Sequence, residues 1–157
     1  MSKENLQPRI QPKIVTLAAV RAGEQWLLYR RQRQPFVGKV GFPYGKLHVG
    51  ESVVAAAERE LREKTGVSAE LVHAGDGYLL VRDSRGGVVS HMLMHIMVGE
   101  LSEVVMLGDE RHALQSCFWG HAAMLDDAMP GFSEILATVS VWKAGDARFF
   151  LELDVQG

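Results

Sequence analysis

Apolar and polar positions along the chain follow two periods, and the boundaries between them mark the elements. Ile14 to Val20 (IVTLAAV) is a short, apolar, partly β-branched run that predicts a buried strand. Ala22-Gly23-Glu24 supplies a turn, and Gln25 to Arg31 (QWLLYRR) returns as a second strand, giving a hairpin. Arg33 to Gly50 carries Pro35, Gly38, Gly41, Pro43, Gly45 and Gly50, which predicts a shaped loop rather than a regular element. The period then lengthens. Val53 to Thr65 reads as a helix, with Ser52 as N-cap and Gly66 where a left-handed C-terminal cap belongs. At about 100° per residue, Val54, Ala57 and Leu61 form one stripe toward the core. Glu60 and Glu63 stand side by side on another face at i, i+3.

Strand patterns resume at Ala69–Ala74, Tyr78–Arg82 and Val88–Leu101, with a Gly86-Gly87 turn before the last. Leu114–Trp119 predicts a further strand. Phe132–Lys143 predicts a second helix, because Phe132, Ile135, Leu136, Val139 and Trp142 keep helical spacing. Phe149–Val155 reads as a closing strand. No internal repeat or linker divides the chain, so residues 1–12 are expected to be a flexible lead-in and 13–157 one domain. Strands before, between and after two helices predict an α/β fold with a mixed sheet and helices packed on it.

Composition narrows the function classes modestly. At 157 residues the chain is long enough for one real core, and 47% hydrophobic with 23% charged residues is ordinary globular composition. Lys+Arg 17 against Asp+Glu 19 gives net charge -2, which supplies no basic field for nucleic acid. Cys117 is the single cysteine, excluding an intramolecular disulfide, and its neighbours Phe118 and Trp119 predict a buried thiol. The opening MSKENLQPRIQPK has no apolar stretch of the secretory kind, and no run approaches the ~18 apolar residues of a membrane span. The expectation is a cytoplasmic protein that binds neither membrane nor nucleic acid, with a homodimer as the alternative to a monomer.

Local chemistry is more informative. Two carboxylates one helical turn apart repel unless protonated, paired or bridged by a cation. Hard oxygens at that spacing suit Mg²⁺, with Mn²⁺ as an alternative, and such an ion takes substrate phosphates as further ligands. A solvated helix face with Glu60 paired to Lys64 at i, i+4 is the competing reading. Arg30, Arg31, Arg33, Lys39 and Lys46 cluster ahead of the helix as candidate phosphate contacts. His91 and His95 share one strand face and Met92 and Met94 the other, predicting partly buried polar groups opposite core or oligomer contacts.

The stretch Gly45–Val67, GKLHVGESVVAAAERELREKTGV, closely resembles the Nudix box, G-x5-E-x7-R-E-U-x-E-E-x-G-U with U aliphatic. Gly45, Glu51, Arg59, Glu60, Leu61, Glu63, Gly66 and Val67 stand in frame, and Phe42-Pro43-Tyr44-Gly45 resembles the family's aromatic-Pro-Gly-Gly entry, with Tyr44 in place of one glycine. Lys64 departs from the pattern, standing where the last box glutamate belongs.

The resemblance implies a Nudix-like α/β/α sandwich and a metal-dependent hydrolase. The expected substrate is a small molecule in which a nucleoside diphosphate is linked to another moiety, cleaved at the diphosphate. It implies metal ligation by Glu60, Glu63 and the Tyr44 carbonyl, a structural Glu51–Arg59 ion pair, and backbone roles for Gly45 and Gly66. Glu110, before the aromatic strand that ends in Trp119, resembles the additional acidic ligand or base of the family. Arg31, Lys46 and Lys64 are the expected phosphate contacts. Lys64 also motivates the alternative of a Nudix-fold module that binds a nucleotide or metabolite without hydrolysing it.

Overall fold

The computed structural model describes residues 10–108 and 116–157. In chain order the elements are β1 (Lys13–Ala22), β2 (Gln25–Arg30), β3 (Val40–Gly41), β4 (Tyr44–Lys46), α1 (Val53–Thr65), β5 (Val72–Arg82), β6 (Val88–Leu101), β7 (Cys117–Gly120), α2 (Phe132–Val141) and β8 (Phe149–Gln156). One eight-stranded mixed sheet runs β3-β2-β1-β6-β5-β8, with β4 attached to β1 and β7 to β2. β1–β6 and β5–β8 are parallel, and the remaining pairs are antiparallel.

β1 is central because it is apolar on both faces, as a strand covered on two sides must be. Val15, Leu17 and Ala19 join Met92, Met94 and Ile96 of β6 beneath Phe132, Ile135 and Val139 of α2. Ala18 and Val20 face the other way and pack with Met97 against Ala57 and Leu61 of α1. The architecture is helix–sheet–helix, and the core lies in two layers. Burying each large side chain contributes roughly 1.5–3 kcal/mol, which holds both helices to the sheet.

The edge of β1 is divided between two partners. Arg21 and Ala22 pair with Trp26 and Gln25 of β2, whereas Val15–Leu17 pair with Lys46–Tyr44 of β4. After that short contact β2 diverges and ladders with β7 through Trp26–Tyr29. Tyr29, at the far end of β2, therefore faces Tyr44 of β4 across an opening.

Several boundaries differ from the sequence reading. The stretch 33–50 is not wholly a loop: its apolar and glycine positions form β3 and β4 by pairing with β2 and β1. The two strands expected at 69–74 and 78–82 are one, β5, continued through a register shift between His73 and Gly75. α2 ends at Val141, two residues early, where Trp142 turns to extended backbone. A 3-10 turn at Ala122–Met124 follows β7 without a sequence signal that singled it out. α1 spans the expected Val53–Thr65. Cys117, Met92 and Met94 are buried as expected.

Candidate active site

α1 begins at a built N-cap. The Ser52 hydroxyl accepts from the Ala55 amide at 3.1 Å, and Gly66 closes the helix with φ 75, its amide bonded to the Arg62 carbonyl. A β-carbon on Gly66 would overlap the Gly108 backbone, so this exit demands glycine twice over.

The helix is tied to the preceding loop by a forked ion pair. Arg59 Nε donates to Glu51 Oε2 at 2.7 Å and Nη2 to Oε1 at 2.9 Å, and Nη2 also reaches the Lys46 carbonyl at 3.1 Å. The Arg59 hydrogen bonds hold the Glu51 carboxyl at about 2, well below its ordinary 4.5. The remaining arm of Arg59 turns to the acidic face, with Nη1 2.9 Å from Glu60 Oε1 and 3.3 Å from Glu63 Oε2. One guanidinium thus fixes the loop and gathers both acidic side chains.

Gly45 explains why β4 lies so near. A β-carbon there would overlap the Glu60 carboxylate, so the bare backbone of β4 is what admits that group. Beside it, the Lys64 ammonium donates to the Tyr44 carbonyl and stands 3.5 Å from Glu60 Oε2. Nζ also lies over two aromatic rings, 5.2 Å from the Tyr29 centroid and 5.5 Å from that of Tyr44. Burial pushes the Lys64 amine below its ordinary pKa, Glu60 pulls it back up, and Arg31 and Arg33 add to the lowering.

In the opening between β2 and β4 lies a cavity lined by Tyr29, Arg31, Lys39, Gly41, Phe42, Tyr44, Lys64 and Met129. Three of those side chains are cationic. Arg31 is locked by Nη1 to the Tyr44 hydroxyl at 2.8 Å and by Nε to the Pro35 carbonyl at 2.6 Å. Burial raises the Tyr44 phenol pKa, against the opposing charge of Arg31, so the phenol stays neutral and accepts that bond. Gly41, Phe42, Tyr44 and Met129 also border an apolar cavity completed by Met92, Met94 and Phe132 among others.

The structure therefore brings Tyr44, Gly45, Glu51, Arg59, Glu60, Glu63 and Lys64 to one place, with Arg31 on the adjoining cavity. Lys46 turns an exposed side chain outward and uses its carbonyl on Arg59. Gly66 serves the helix exit. Glu110 lies outside the described residues. Arg30 is engaged elsewhere, bonding Asp127 at 2.6 Å and the Gly38 carbonyl at 2.7 Å. Tyr29 escaped the sequence reading because nothing local marks it; its place depends on β2 leaving β1. The Arg59–Glu63 contact had a readable signal, the i, i+4 spacing.

As a donor set, two carboxylates and a carbonyl are hard oxygens that suit Mg²⁺ or Mn²⁺. The bare Gly45 backbone leaves the room the Glu60 carboxylate needs. The fit is qualified by Lys64, whose ammonium already holds the carbonyl and shares Glu60.

A family profile described as NUDIX domain matches residues 11–138. An RNA pyrophosphohydrolase of Caulobacter vibrioides is 31% identical over 126 residues, covering 72% of this chain and 73% of the relative. An ADP-ribose pyrophosphatase of Methanocaldococcus jannaschii is 30% identical over 94 residues, 59% of this chain and 56% of that protein. Among solved structures, a MutT protein from Bacillus halodurans superposes with TM-score 0.69 at 21% identity, over 90% of this chain and 89% of that one. The NUDIX domain of Shewanella oneidensis NrtR complexed with ADP ribose gives TM-score 0.66 at 16% identity, over 89% and 92%. At those identities the structural likeness concerns the fold alone.

Proposed function

Since the chain belongs to the NUDIX domain family, we propose that it is a metal-dependent hydrolase acting on a nucleoside diphosphate linked to another moiety, with cleavage at the diphosphate. The observation that carries this reading is that Arg59 gathers the Glu60 and Glu63 carboxylates while Glu60 lies against the bare backbone of Gly45 and shares Lys64 with the Tyr44 carbonyl. The names of the two relatives, an RNA pyrophosphohydrolase and an ADP-ribose pyrophosphatase, both describe diphosphate-cleaving enzymes and support the reaction class.

Glu60, Glu63 and the Tyr44 carbonyl would hold a divalent cation. When bound, such an ion neutralises diphosphate charge, polarises phosphorus and acidifies water. The chain's own residues do the rest. Arg31, Lys39 and Lys64 line the cavity between β2 and β4 and offer positive charge to the phosphates. The apolar cavity beside it, with Met92, Met94 and Met129 able to repack, is the proposed destination of an uncharged part of the substrate. Arg59 keeps both carboxylates oriented while the ion is absent, and Glu51 keeps Arg59 in place. Glu110 is proposed as the additional acidic group.

A second reading is favoured by one specific contact. Lys64 places its ammonium on two of the oxygens a metal would use, as a resident cation would. On that reading the chain binds a nucleotide or metabolite without hydrolysing it.

A panel of nucleoside diphosphate sugars, dinucleoside polyphosphates and nucleoside triphosphates, with and without Mg²⁺, separates the two. Hydrolysis that requires Mg²⁺ and falls at least about 100-fold in Glu63→Gln supports the enzyme. Equal turnover in the wild type and Glu63→Gln refutes the proposed roles. Tight binding independent of Mg²⁺, with no product, establishes the module instead.

A further inference from the structure

A second cluster of ligating side chains lies on the same face of the sheet as α1, outside the box. His73 Nε2 and His95 Nδ1 each stand 2.7 Å from Asp76 Oδ1, and the three ligating atoms lie within 4.8 Å of one another. All three side chains are partly buried, with 13%, 33% and 22% of their surface exposed for His73, Asp76 and His95. The group is therefore held by the fold yet open to solvent.

The backbone goes out of its way to assemble it. Residues three apart on a regular strand point to opposite faces, which would separate His73 from Asp76. Here the register shifts between His73 and Gly75: His73 pairs with Met97 and Asp76 with His95, leaving Ala74 as the extra residue. The bulge turns His73 to the face that Asp76 and His95 share. Gly75 makes this bend compatible with β8, because a β-carbon there would overlap Phe149.

We infer that His73, Asp76 and His95 form a binding site for a divalent transition metal of the zinc class, separate from the carboxylate site on α1. Two imidazoles and one carboxylate match the ligand types and number of open zinc sites, in which solvent completes the coordination. Ligands about 2.0–2.1 Å from a tetrahedral centre stand roughly 3.3 Å apart, so the 2.7 Å contacts need to widen by only about 0.6 Å. The ion takes the place of the bridging N–H protons: each neutral imidazole then carries its single proton on the ring nitrogen facing away from the site, and any surplus proton leaves to solvent.

The pairing rows place this site apart from the box. Gly45, Thr16, His95 and Asp76 follow one another across β4, β1, β6 and β5. At about 4.8 Å per strand, roughly 14 Å of sheet separates Gly45 from Asp76, too far for one ion to serve both sites. Between them Thr16 is fully buried, and its hydroxyl has no hydrogen-bond partner among the described residues.

The test uses the full chain with Zn²⁺ as probe, in excess Mg²⁺ to occupy the hard-oxygen site, and a chromophoric chelator as competitor. The wild type is expected to withdraw one equivalent of zinc. His73→Asn, His95→Asn and the near-isosteric Asp76→Asn should each weaken binding by at least about 10-fold. His91→Asn and Glu63→Gln should retain it. Co²⁺ should give the wild type a visible absorption band that the three site variants lack. Zinc should raise the melting temperature of the wild type and of His91→Asn alone of the histidine variants, a readout that first requires each variant to melt cooperatively. The inference is overturned if the wild type takes up no zinc, or if zinc binding survives in His73→Asn and His95→Asn but is lost in Glu60→Gln and Glu63→Gln.

Discussion

Replacing Lys64 by glutamate perturbs the site at its centre. The ammonium bonds the Tyr44 carbonyl and stands 3.5 Å from Glu60 Oε2, so a divalent cation drawn to those oxygens meets a positive charge already in place. Two unit charges 4 Å apart interact by about 4 kcal/mol at an effective dielectric of about 20. Lys64 keeps 28% of its side-chain surface exposed and Glu60 13%, so solvent and salt screen part of this. The ammonium also gives way by swinging outward on its flexible stem. About 1.4–2.8 kcal/mol of relief remains, equivalent to a roughly 10- to 100-fold tighter divalent-cation complex. Lys64→Gln, which removes the charge without adding a carboxylate, should gain less than Lys64→Glu. Calorimetric titration with Mn²⁺ and Mg²⁺ reads the affinity, and circular dichroism with thermal melting verifies that each variant is folded. Wild-type affinity in both folded variants would refute the placement of Lys64 at the cation site.

Two further outcomes follow from the same geometry. Gly45→Ala puts a methyl group where the Glu60 carboxylate lies; that carboxylate is the end of a flexible side chain and swings aside, so the fold should stay stable while Mn²⁺ affinity falls. Unchanged Mn²⁺ affinity in a folded Gly45→Ala contradicts the close approach of β4 to Glu60. The Glu51 carboxyl, held at about 2 against its ordinary 4.5, contributes stability that is fully present above 4.5 and is lost as pH falls toward 2. Urea midpoints measured across that window should decline more steeply for the wild type than for Glu51→Gln, and parallel declines would mean that Arg59 does not hold the group in solution.

What the sequence determined by itself is whatever depends on near neighbours along the chain. The cap at Ser52, the left-handed exit at Gly66 and the apolar stripe through Ala57 and Leu61 set α1 to the residue, because helix signals lie within a few positions of one another. The fixed frame from Gly45 to Val67 likewise disclosed the acidic face and its arginine, since a helix converts spacing directly into geometry. Tertiary structure decided everything that joins distant segments. β2 leaves β1 after two paired residues, and only that divergence sets Tyr29 and Tyr44 on either side of the Lys64 ammonium. Lys64 was legible as a change of charge, but its bond to the carbonyl 20 positions earlier depended on β4 settling against α1. Strand periodicity placed His95 on a face with His91 and gave no reason to add His73, because a period of two puts His73 and Asp76 on opposite sides. The bulge at Ala74 reversed that relation, and its hint, a glycine inside a strand, acquires meaning only when β8 packs against it.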